Sequence, residues 1–255
     1  MGKNNNLTIE RILEKNLYLD KDLYRINITK KSNFVLKIRY KYSDLYISSD
    51  KDISDIIRQK IVDFYDIIES EIKKNPVFEK SLMPITKSKT NNPLVEEMCR
   101  QSLIFNVGPM ASIAGALCHF IGNNVSKNVK YLIIENGGDV YIRSQNDVVL
   151  SVFLKSNFFK NGFKIKIRKD LLPCGVASSS GTFGHSLSLG KSDIALVLAK
   201  NPIAADTAAT LFGNLIKDKE DLKNAVNLMK DKEGILGLLA TKDEKLVLFG
   251  QIELL

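Results

Sequence analysis

The chain has 255 residues, of which 44% are hydrophobic and 26% are charged. These values are typical of a globular protein with a substantial core, in one large domain or two small ones. The net charge of +8 comes from 37 basic and 29 acidic residues, and the basic residues are scattered in short pairs without a long block of like charge. Such a charge does not by itself select nucleic acid, and an anionic small ligand fits it equally. We therefore expect no nucleic-acid partner.

The cysteines and the apolar segments exclude further classes. Cys99, Cys118 and Cys174 are far apart and odd in number, without the spacing typical of a zinc site or a disulfide framework. The N-terminal residues contain no apolar segment of the signal-peptide kind. Residues 102–124 carry no charged side chain, but the Gly108-Pro109 pair within them favours a buried helix over a membrane span. We expect a cytoplasmic protein without a membrane partner.

The first elements of the chain are predicted from hydrophobic periodicity. Apolar and basic residues alternate over residues 34–42, which indicates a half-buried strand, and a short strand at 45–47 is expected to pair with it. Apolar residues then recur every three or four positions, as in a long helix with one buried stripe. Ser49 or Asp50 is predicted to cap this helix, and Asn75-Pro76 to end it.

The rest of the chain predicts a mixture of helices and strands, and so an α+β fold. A helix capped by Asn92 is expected to begin at Pro93. The Gly- and Ser-rich segment that starts at Gly175 is predicted to be a loop. The other predicted elements are helices at 109–121, 204–216 and 220–230, strands at 131–135, 140–143, 148–154, 163–168 and 193–199, and a closing hairpin of 235–240 and 246–252. We divide the chain into a strand-hairpin and long-helix subdomain, residues 1–92, and a core, residues 93–255, with one continuous domain as the alternative.

The turn Asn136-Gly137-Gly138-Asp139 directly follows a short apolar strand and has two interpretations. Paired glycines permit positive φ and leave room for a ligand, and Asp139 would then orient a hydroxyl or a metal-bound water. The Asn-Gly pair is also a strong hairpin signal. Spacing alone favours the plain turn.

Asp206 and Thr210 lie four residues apart on a predicted helix and therefore share one face. A carboxylate and a hydroxyl oxygen suit a hard cation such as Mg²⁺, which usually shares its ligands with phosphates. In the other interpretation, Asp206 follows Pro202 in the first turns of the helix, where its charge complements the helix dipole, and Thr210 only packs. Taken alone, the spacing favours this second interpretation.

His185 follows a run of small and hydroxylated residues, which makes it a candidate general acid or base, or a donor to phosphate. A nucleophile pair with Ser178, Ser179 or Ser180 is conceivable, but the chain lacks the GxSxG elbow of many serine hydrolases. His119 lies among apolar residues and is interpreted as a packing or capping residue. The GxGxxG and P-loop patterns are absent, which argues against Rossmann and Walker-type nucleotide sites.

Four blocks in this order resemble the ApbE superfamily, the relatives of FAD:protein FMN transferases, and within it an uncharacterised branch. They are GPMASIAGALCHFIG (108–122), IIENGGDVYI (133–142), GVASSSGTFGHSLSLGKSD (175–193) and AADTAATLFGN (204–214). The hairpin at 34–47, the helix end at 75–78 and the closing GQIEL fit as well, so the resemblance covers nearly the whole chain. It implies an ApbE-like fold of mixed, largely antiparallel sheets packed with helices.

The resemblance also implies an activity, in which FAD is split with Mg²⁺ and FMN is transferred to a Thr or Ser of an acceptor protein. Asp206 and Thr210 match the metal-binding Asp and Thr of the family's ADxxxT motif. His185 aligns with the histidine that opens the family's HxxDP block. The expected flavin- and phosphate-binding residues are Asn136, Gly137, Gly138 and Asp139 in the turn, and Ser179, Ser180, Gly181 and Thr182 in the Ser-Gly segment.

The chain departs from the family pattern at three places. Ser-Leu-Ser follows His185 in place of the rest of HxxDP, Val107-Gly108-Pro109 replaces a Lys-Gly pair, and Gly115 or Ala116 stands where the family helix carries an Asp. Two alternatives to the transferase therefore stay open: a non-catalytic flavin- or nucleotide-binding module, and a hydrolase that releases FMN and AMP. The expected cofactors are FAD or FMN and Mg²⁺. The expected partners are a small phosphorylated ligand and, if transfer occurs, an acceptor protein. The sequence leaves the oligomeric state open, and the apolar Leu254-Leu255 offers a surface on which a second copy could pack.

Overall fold

Two β-sheets and the helices packed on them form the part of the chain that the computed structural model describes, which is residues 7–11, 27–28, 34–154, 156–179 and 190–255. The strands are β1 (Thr8–Arg11), β2 (Asn27–Ile28), β3 (Phe34–Tyr40), β4 (Ser43–Ser49), β5 (Leu132–Asn136), β6 (Asp139–Arg143), β7 (Val148–Val152), β8 (Phe163–Ile167), β9 (Cys174–Ser179), β10 (Ile194–Ala199), β11 (Ile235–Lys242), β12 (Lys245–Gly250) and β13 (Glu253–Leu254). The helices are α1 (Ser54–Lys74), α2 (Val77–Lys80), α3 (Pro93–Phe105), α4 (Ile113–Val125), α5 (Pro202–Leu215) and α6 (Asp221–Met229).

Every strand pair in the described ranges is antiparallel. The large sheet has nine strands in the order β1-β3-β4-β5-β6-β9-β10-β11-β12. The small sheet has four strands in the order β13-β8-β7-β2. The prediction of an α+β fold with largely antiparallel sheets is confirmed.

The large sheet is the middle of three layers. On one face, α1, α3 and α4 cover β3 to β6, and α5 and α6 cover β9 to β11. The small sheet covers the other face with an aliphatic core. Side chains alternate between these faces along each strand, so Tyr141 packs towards the helices while its neighbours Val140 and Ile142 pack towards the small sheet.

The predicted hairpin near the start of the chain is confirmed as β3 and β4, which pair from Phe34↔Ser49 to Tyr40↔Ser43. The predicted cap of α1 was wrong. The residue before the helix is Ile53, without a side-chain cap hydrogen bond. Asp50 instead accepts hydrogen bonds from the main-chain N–H groups of Lys130 and Tyr131, at 3.0 and 3.1 Å, and so ties β4 to the start of β5.

The segment from Gly175 to Ser179 was predicted as a loop and is in fact part of β9, a central strand of the large sheet. Its residues are small because α5 lies directly against it. A Cβ on Gly175 would overlap the backbone of Asn201 and Pro202 at the start of α5. Val176 is the one bulky β-branched residue of the strand, so β9 carries little of the signal by which buried strands are usually recognised.

Glu71 in the last turn of α1 is fully buried and organises the segment that leads to α3. Its carboxylate accepts hydrogen bonds from the main-chain N–H groups of Lys89 and Thr90, at 2.8 and 2.9 Å. The hydroxyls of Ser88 and Thr90 donate to it as well, at 3.0 and 2.7 Å. The predicted cap of α3 is confirmed, since the Asn92 side chain accepts from the main-chain N–H of Leu94 at 3.0 Å.

No single helix of the described ranges is both long and apolar enough to cross a membrane, although Pro93–Phe105 and Pro109–Asn128 pass that test as a pair bent by 106°. The bend contains the Gly108-Pro109 pair. The predicted division at residue 92 stays a prediction, and the large sheet takes strands from both sides of it, with β4 paired to β5.

Candidate functional site

The candidate site is built around Asp206, near the start of α5. This helix begins at Pro202 and is capped by the side chain of Asn201, which accepts from the main-chain N–H of Ala204 at 2.9 Å. Asp206 reaches across to α4, where its Oδ2 accepts from the main-chain N–H of Gly115 at 2.8 Å. The first N–H groups of a helix have no partner within it, and the residue before α4, Ser112, makes no side-chain cap hydrogen bond. Asp206 therefore caps α4 from a neighbouring helix.

The two helices approach this closely because residue 115 is glycine. A Cβ there would overlap the carbonyl oxygen of Pro202 and lie 2.8 Å from the Cβ of Asp206. The absence of a side chain at this position of α4 thus lets the backbone of α5 approach. The family pattern has an Asp near this position. In this chain the residue is Gly115, whose main-chain N–H donates to Asp206.

The turn between β5 and β6 is a two-residue hairpin, which confirms the structural interpretation of its Asn-Gly pair. Asn136 and Asp139 are paired across the hairpin, and the loop residues Gly137 and Gly138 have φ of +65° and +104°. The main-chain N–H of Gly138 donates to Oε1 of the buried Glu135 at 2.9 Å. A site interpretation stays compatible with this geometry, because a Cβ on Gly137 would have no neighbour within 4 Å.

Asp139 links this turn to the helices. It begins β6 two residues before Tyr141, so its side chain points to the helix face of the sheet. The thiol of Cys118 on α4 donates to its main-chain oxygen at 3.4 Å. Asp139 and Asp206 are therefore both attached to α4.

The end of β9 lies between the turn and α5. A Cβ built on Gly138 would lie 2.9 Å from the Oγ of Ser178, and one built on Gly213 of α5 would lie 3.1 Å from the Oγ of Ser179. Ser179 lies two residues after Ala177 and therefore on the same face of the sheet. Because Ala177 packs against the helices, Ser179 faces α5. The other residues predicted for this segment, Ser180, Gly181, Thr182 and the candidate catalytic His185, lie outside the described residues.

The carboxyl groups of Asp139 and Asp206 dominate the electrostatics of the site, and the pKa of each is raised. Burial raises the pKa of Asp139 well above its usual value, and the charges of Asp206 and Glu135 raise it further. Burial raises the pKa of Asp206 to about 7, although the N–H groups of Gly115 and Ala114 act against this shift. Burial and the same carboxylates also raise the pKa of the Cys118 thiol well above its usual value, so the thiol stays protonated.

The described residues contain no group of three or more His, Cys, Asp and Glu side chains arranged to hold a metal ion. The predicted ligands Asp206 and Thr210 do lie one turn apart on α5, and both are partly exposed. Thr207 on the same helix donates its hydroxyl to the carbonyl of Ile203 at 2.6 Å. Thr210 makes no such bond to any part of the chain that the structure describes. The donor set, a carboxylate and a free hydroxyl, is of the oxygen type that Mg²⁺ favours.

Comparison with known proteins agrees with this architecture. A family model described as "AbpE bacteria" matches residues 26–236. The chain belongs to this ApbE-like family. The resemblance drawn from the four sequence blocks is thereby confirmed, and the match includes all the predicted site residues.

Relatives of the ApbE-like family align over most of the chain. The UPF0280 protein of Methanothrix thermoacetophila is 31% identical over 208 residues, which are 81% of this chain and 87% of that protein. The UPF0280 protein MJ1526 of Methanocaldococcus jannaschii is 32% identical over 230 residues, which are 88% of this chain and 89% of that protein.

Solved ApbE structures share the fold at low sequence identity. The flavin transferase ApbE from Vibrio cholerae matches with a TM-score of 0.56 at 9% identity, over 88% of this chain and 97% of that one. The apo form of the flavinyl transferase ApbE from Pseudomonas stutzeri matches with a TM-score of 0.55 at 9% identity, over 89% of this chain and 95% of that one. The chain therefore has the ApbE fold.

Proposed function

We propose that this chain binds FAD together with Mg²⁺ and transfers FMN to a hydroxyl group of an acceptor protein. The observation that supports the proposal is the position of α5, where Asp206 is bonded to Gly115 of α4 and Gly213 approaches Ser179 at the end of β9. The names of the two structural neighbours, both flavin or flavinyl transferases, support the flavin part.

The proposal gives each element of the site a role. Asp206 and Thr210 hold Mg²⁺, which would neutralise charge on the leaving phosphate when bound. The glycine turn from Asn136 to Asp139 contacts the flavin nucleotide. Main-chain N–H groups of Ser179, Ser180, Gly181 and Thr182 bind phosphate, since small residues let such groups approach an anion closely.

Transfer breaks the bond between the bridging oxygen and the phosphorus of the FMN half of FAD. A bond forms from that phosphorus to the acceptor hydroxyl oxygen, AMP leaves, and the hydroxyl proton must be accepted. We assign this proton transfer to His185, because an imidazole can take up a proton near neutral pH. A cytoplasmic location and association with a second copy stay predictions.

A non-catalytic flavin- or nucleotide-binding module is the second candidate, and one observation favours it. Because Asp206 caps α4 through Gly115, this carboxylate has a structural use that does not require catalysis. The hydrolase alternative differs from the transferase only in the acceptor, which is then water.

Incubation of the purified chain with FAD and Mg²⁺ distinguishes the three functions. The transferase releases AMP in the presence of an added mixture of Ser- and Thr-containing peptides, and those peptides gain the mass of FMN minus water. The hydrolase releases FMN and AMP in equal amounts without peptide. Retention of intact FAD, measured by its visible absorbance after gel filtration, supports the binding module. Failure to retain or cleave FAD contradicts the transferase, the hydrolase and a module that binds FAD.

Two threonines on α5 provide a matched test of the metal corner. We expect Thr210→Val to weaken Mg²⁺-dependent FAD binding, because it removes a free hydroxyl without changing the size of the side chain. Thr207→Val removes a hydroxyl that is already bonded to Ile203, so its effect should fall on stability and not on the metal dependence. Equal Mg²⁺ dependence in the two variants would contradict the role of Thr210.

A further inference from the structure

The side chain of Asp139 is buried without a partner. It is only 8% exposed, yet its carboxylate makes no hydrogen bond or ion pair within the described ranges; the bond from Cys118 goes to its main-chain oxygen. A buried carboxylate without partners is costly, and nearly all buried polar groups in folded proteins are satisfied. Asp139 is therefore a candidate for a ligand or a proton that the described contacts do not supply.

Asp139 and Asp206 approach the same place on α4. Asp139 is joined to Cys118, and Asp206 to Gly115, and these two α4 residues lie three positions apart on one face of the helix. The Asp139 side chain points towards the helices, in the direction of α5. None of the ion pairs in the described part of the chain includes either carboxylate. The charge of Asp206 also raises the pKa of Asp139, as expected for two neighbouring carboxylates.

We propose that Asp139 is a further metal ligand, and that Asp139 and Asp206 together bind one divalent cation from opposite sides, the strand end and the helix. This inference rests on the proposed function, which assigns Mg²⁺ to Asp206 and Thr210. It adds a third ligand, Asp139, from the glycine turn. A hard dication binds carboxylate oxygens and removes the repulsion between the two neighbouring negative charges. Cys118 stays a protonated thiol and takes no part.

The competing account is a proton shared between the two carboxyl groups, which would satisfy them without metal. It predicts that divalent cations leave the stability of the protein unchanged. The two accounts also differ in what an amide at position 139 does, because an amide can replace a protonated carboxyl group but is a poor substitute for a charged metal ligand.

Binding of Mn²⁺ to the full chain, after removal of metals with EDTA, provides the test. Mn²⁺ accepts the same oxygen ligands as Mg²⁺, and its free concentration can be measured from the electron paramagnetic resonance signal. We expect one site per chain, with affinity lowered by about tenfold or more in both Asp139→Asn and Asp206→Asn. Glu135→Gln is the matched control. It removes one negative charge from the other face of the sheet beside the same turn, and should change affinity by less than about threefold, because charge without ligation acts only at a distance.

Thermal unfolding gives a second readout that a merely structural Asp139 would not produce. Without metal, Asp139→Asn should melt above the unmodified chain, since it removes a buried repulsion. At one Mn²⁺ concentration, the unmodified chain should gain more in melting temperature than Asp139→Asn, because the gain from ligand binding to the native state grows with affinity. Loss of Mn²⁺ binding in Asp206→Asn but not in Asp139→Asn overturns this inference and leaves the proposed function standing. Absence of Mn²⁺ binding to the unmodified chain, with or without added FAD, overturns both.

Discussion

The main-chain N–H of Gly115 on α4 donates a hydrogen bond of 2.8 Å to Oδ2 of Asp206 on α5. This bond joins the start of one helix to the first turns of another, and it gives Asp206 a fixed position. A residue proposed to bind metal is therefore held by the fold before any ligand arrives. Preorganisation of this kind lowers the entropy that binding must overcome.

Substitution of Gly115 tests how much the close contact between α4 and α5 contributes. We expect Gly115→Ala to lower the free energy of unfolding by about 1–3 kcal/mol, because the added Cβ overlaps the backbone of α5 and the core must shift. Urea denaturation measures this change. Asn124→Ala, at an exposed position of the same helix, is the control and should stay within about 0.5 kcal/mol. Equal stability of the two variants would show that the contact is loose.

The two glycines of the β5–β6 turn should differ in their tolerance of a side chain. Gly138 has φ of +104°, and its Cβ would lie 2.9 Å from Ser178 Oγ, so we expect Gly138→Ala to cost about 2–3 kcal/mol. Gly137 has φ of +65° and open space, so Gly137→Ala should cost about 1 kcal/mol. Gly137→Asn should be close to neutral, since Asn tolerates the left-handed region. The reverse order of costs in thermal unfolding would contradict this geometry.

Glu71 should make stability depend on pH below neutrality. Burial opposes its charged form, but the hydrogen bonds from Lys89, Thr90 and Ser88 outweigh burial and lower its pKa. A carboxyl group with a lowered folded-state pKa stabilises the protein above its unfolded-state value of about 4.3, and this stabilisation is lost as the pH falls through the folded-state pKa. We therefore expect Glu71→Gln to be less stable by about 1–3 kcal/mol at pH 7.

The stability difference between Glu71→Gln and the unmodified chain should shrink as the pH falls below about 4, measured by urea denaturation at a series of pH values. Asp66→Asn, at an exposed position of α1, removes a carboxylate from the same helix and serves as the control. A difference that does not change with pH would mean that the Glu71 carboxylate is not charged in the folded protein.

All three cysteines should be unreactive in the folded protein. Burial raises the pKa of Cys99 to about 11 and that of Cys174 to about 12, and Cys118 is shifted in the same direction. Because the thiolate is the nucleophile, Ellman's reagent at pH 8 should titrate less than one thiol per chain within minutes, and three after denaturation. Rapid reaction of one native thiol would show that its surroundings open readily.

Short-range signals explain which elements were predictable. The β3–β4 hairpin follows from alternation, and the cap of α3 follows from Asn92 before Pro93. The helix that carries Asp206 was also expected, over 204–216, and the structure begins it two residues earlier, at Pro202. Each of these signals is contained within a few residues of the element it specifies.

The missed features depend on distant partners. Apart from Val176, β9 is built of small residues, because α5 packs closely against it. Asp50 does not cap α1, because its carboxylate accepts hydrogen bonds from the main-chain N–H groups of Lys130 and Tyr131. These residues lie eighty or more positions further along the chain. Asp139 and Asp206 both approach one face of α4, and no residue pattern next to either of them in the sequence indicates this. The contact of Ser179 with Gly213 of α5 likewise becomes visible only in the structure.

The pairing of β4 with β5 has a consequence for synthesis and refolding. Ser49 lies opposite Leu132, and Leu45 opposite Asn136. More than eighty residues must therefore be synthesised after the β3–β4 hairpin before β5 can pair with the free edge of β4. Pairings between such distant segments slow folding, because the intervening chain must close into a loop first. Nascent chains will expose the edge of β4 during that interval, and unpaired strand edges promote aggregation. We therefore expect refolding yield to fall steeply with protein concentration.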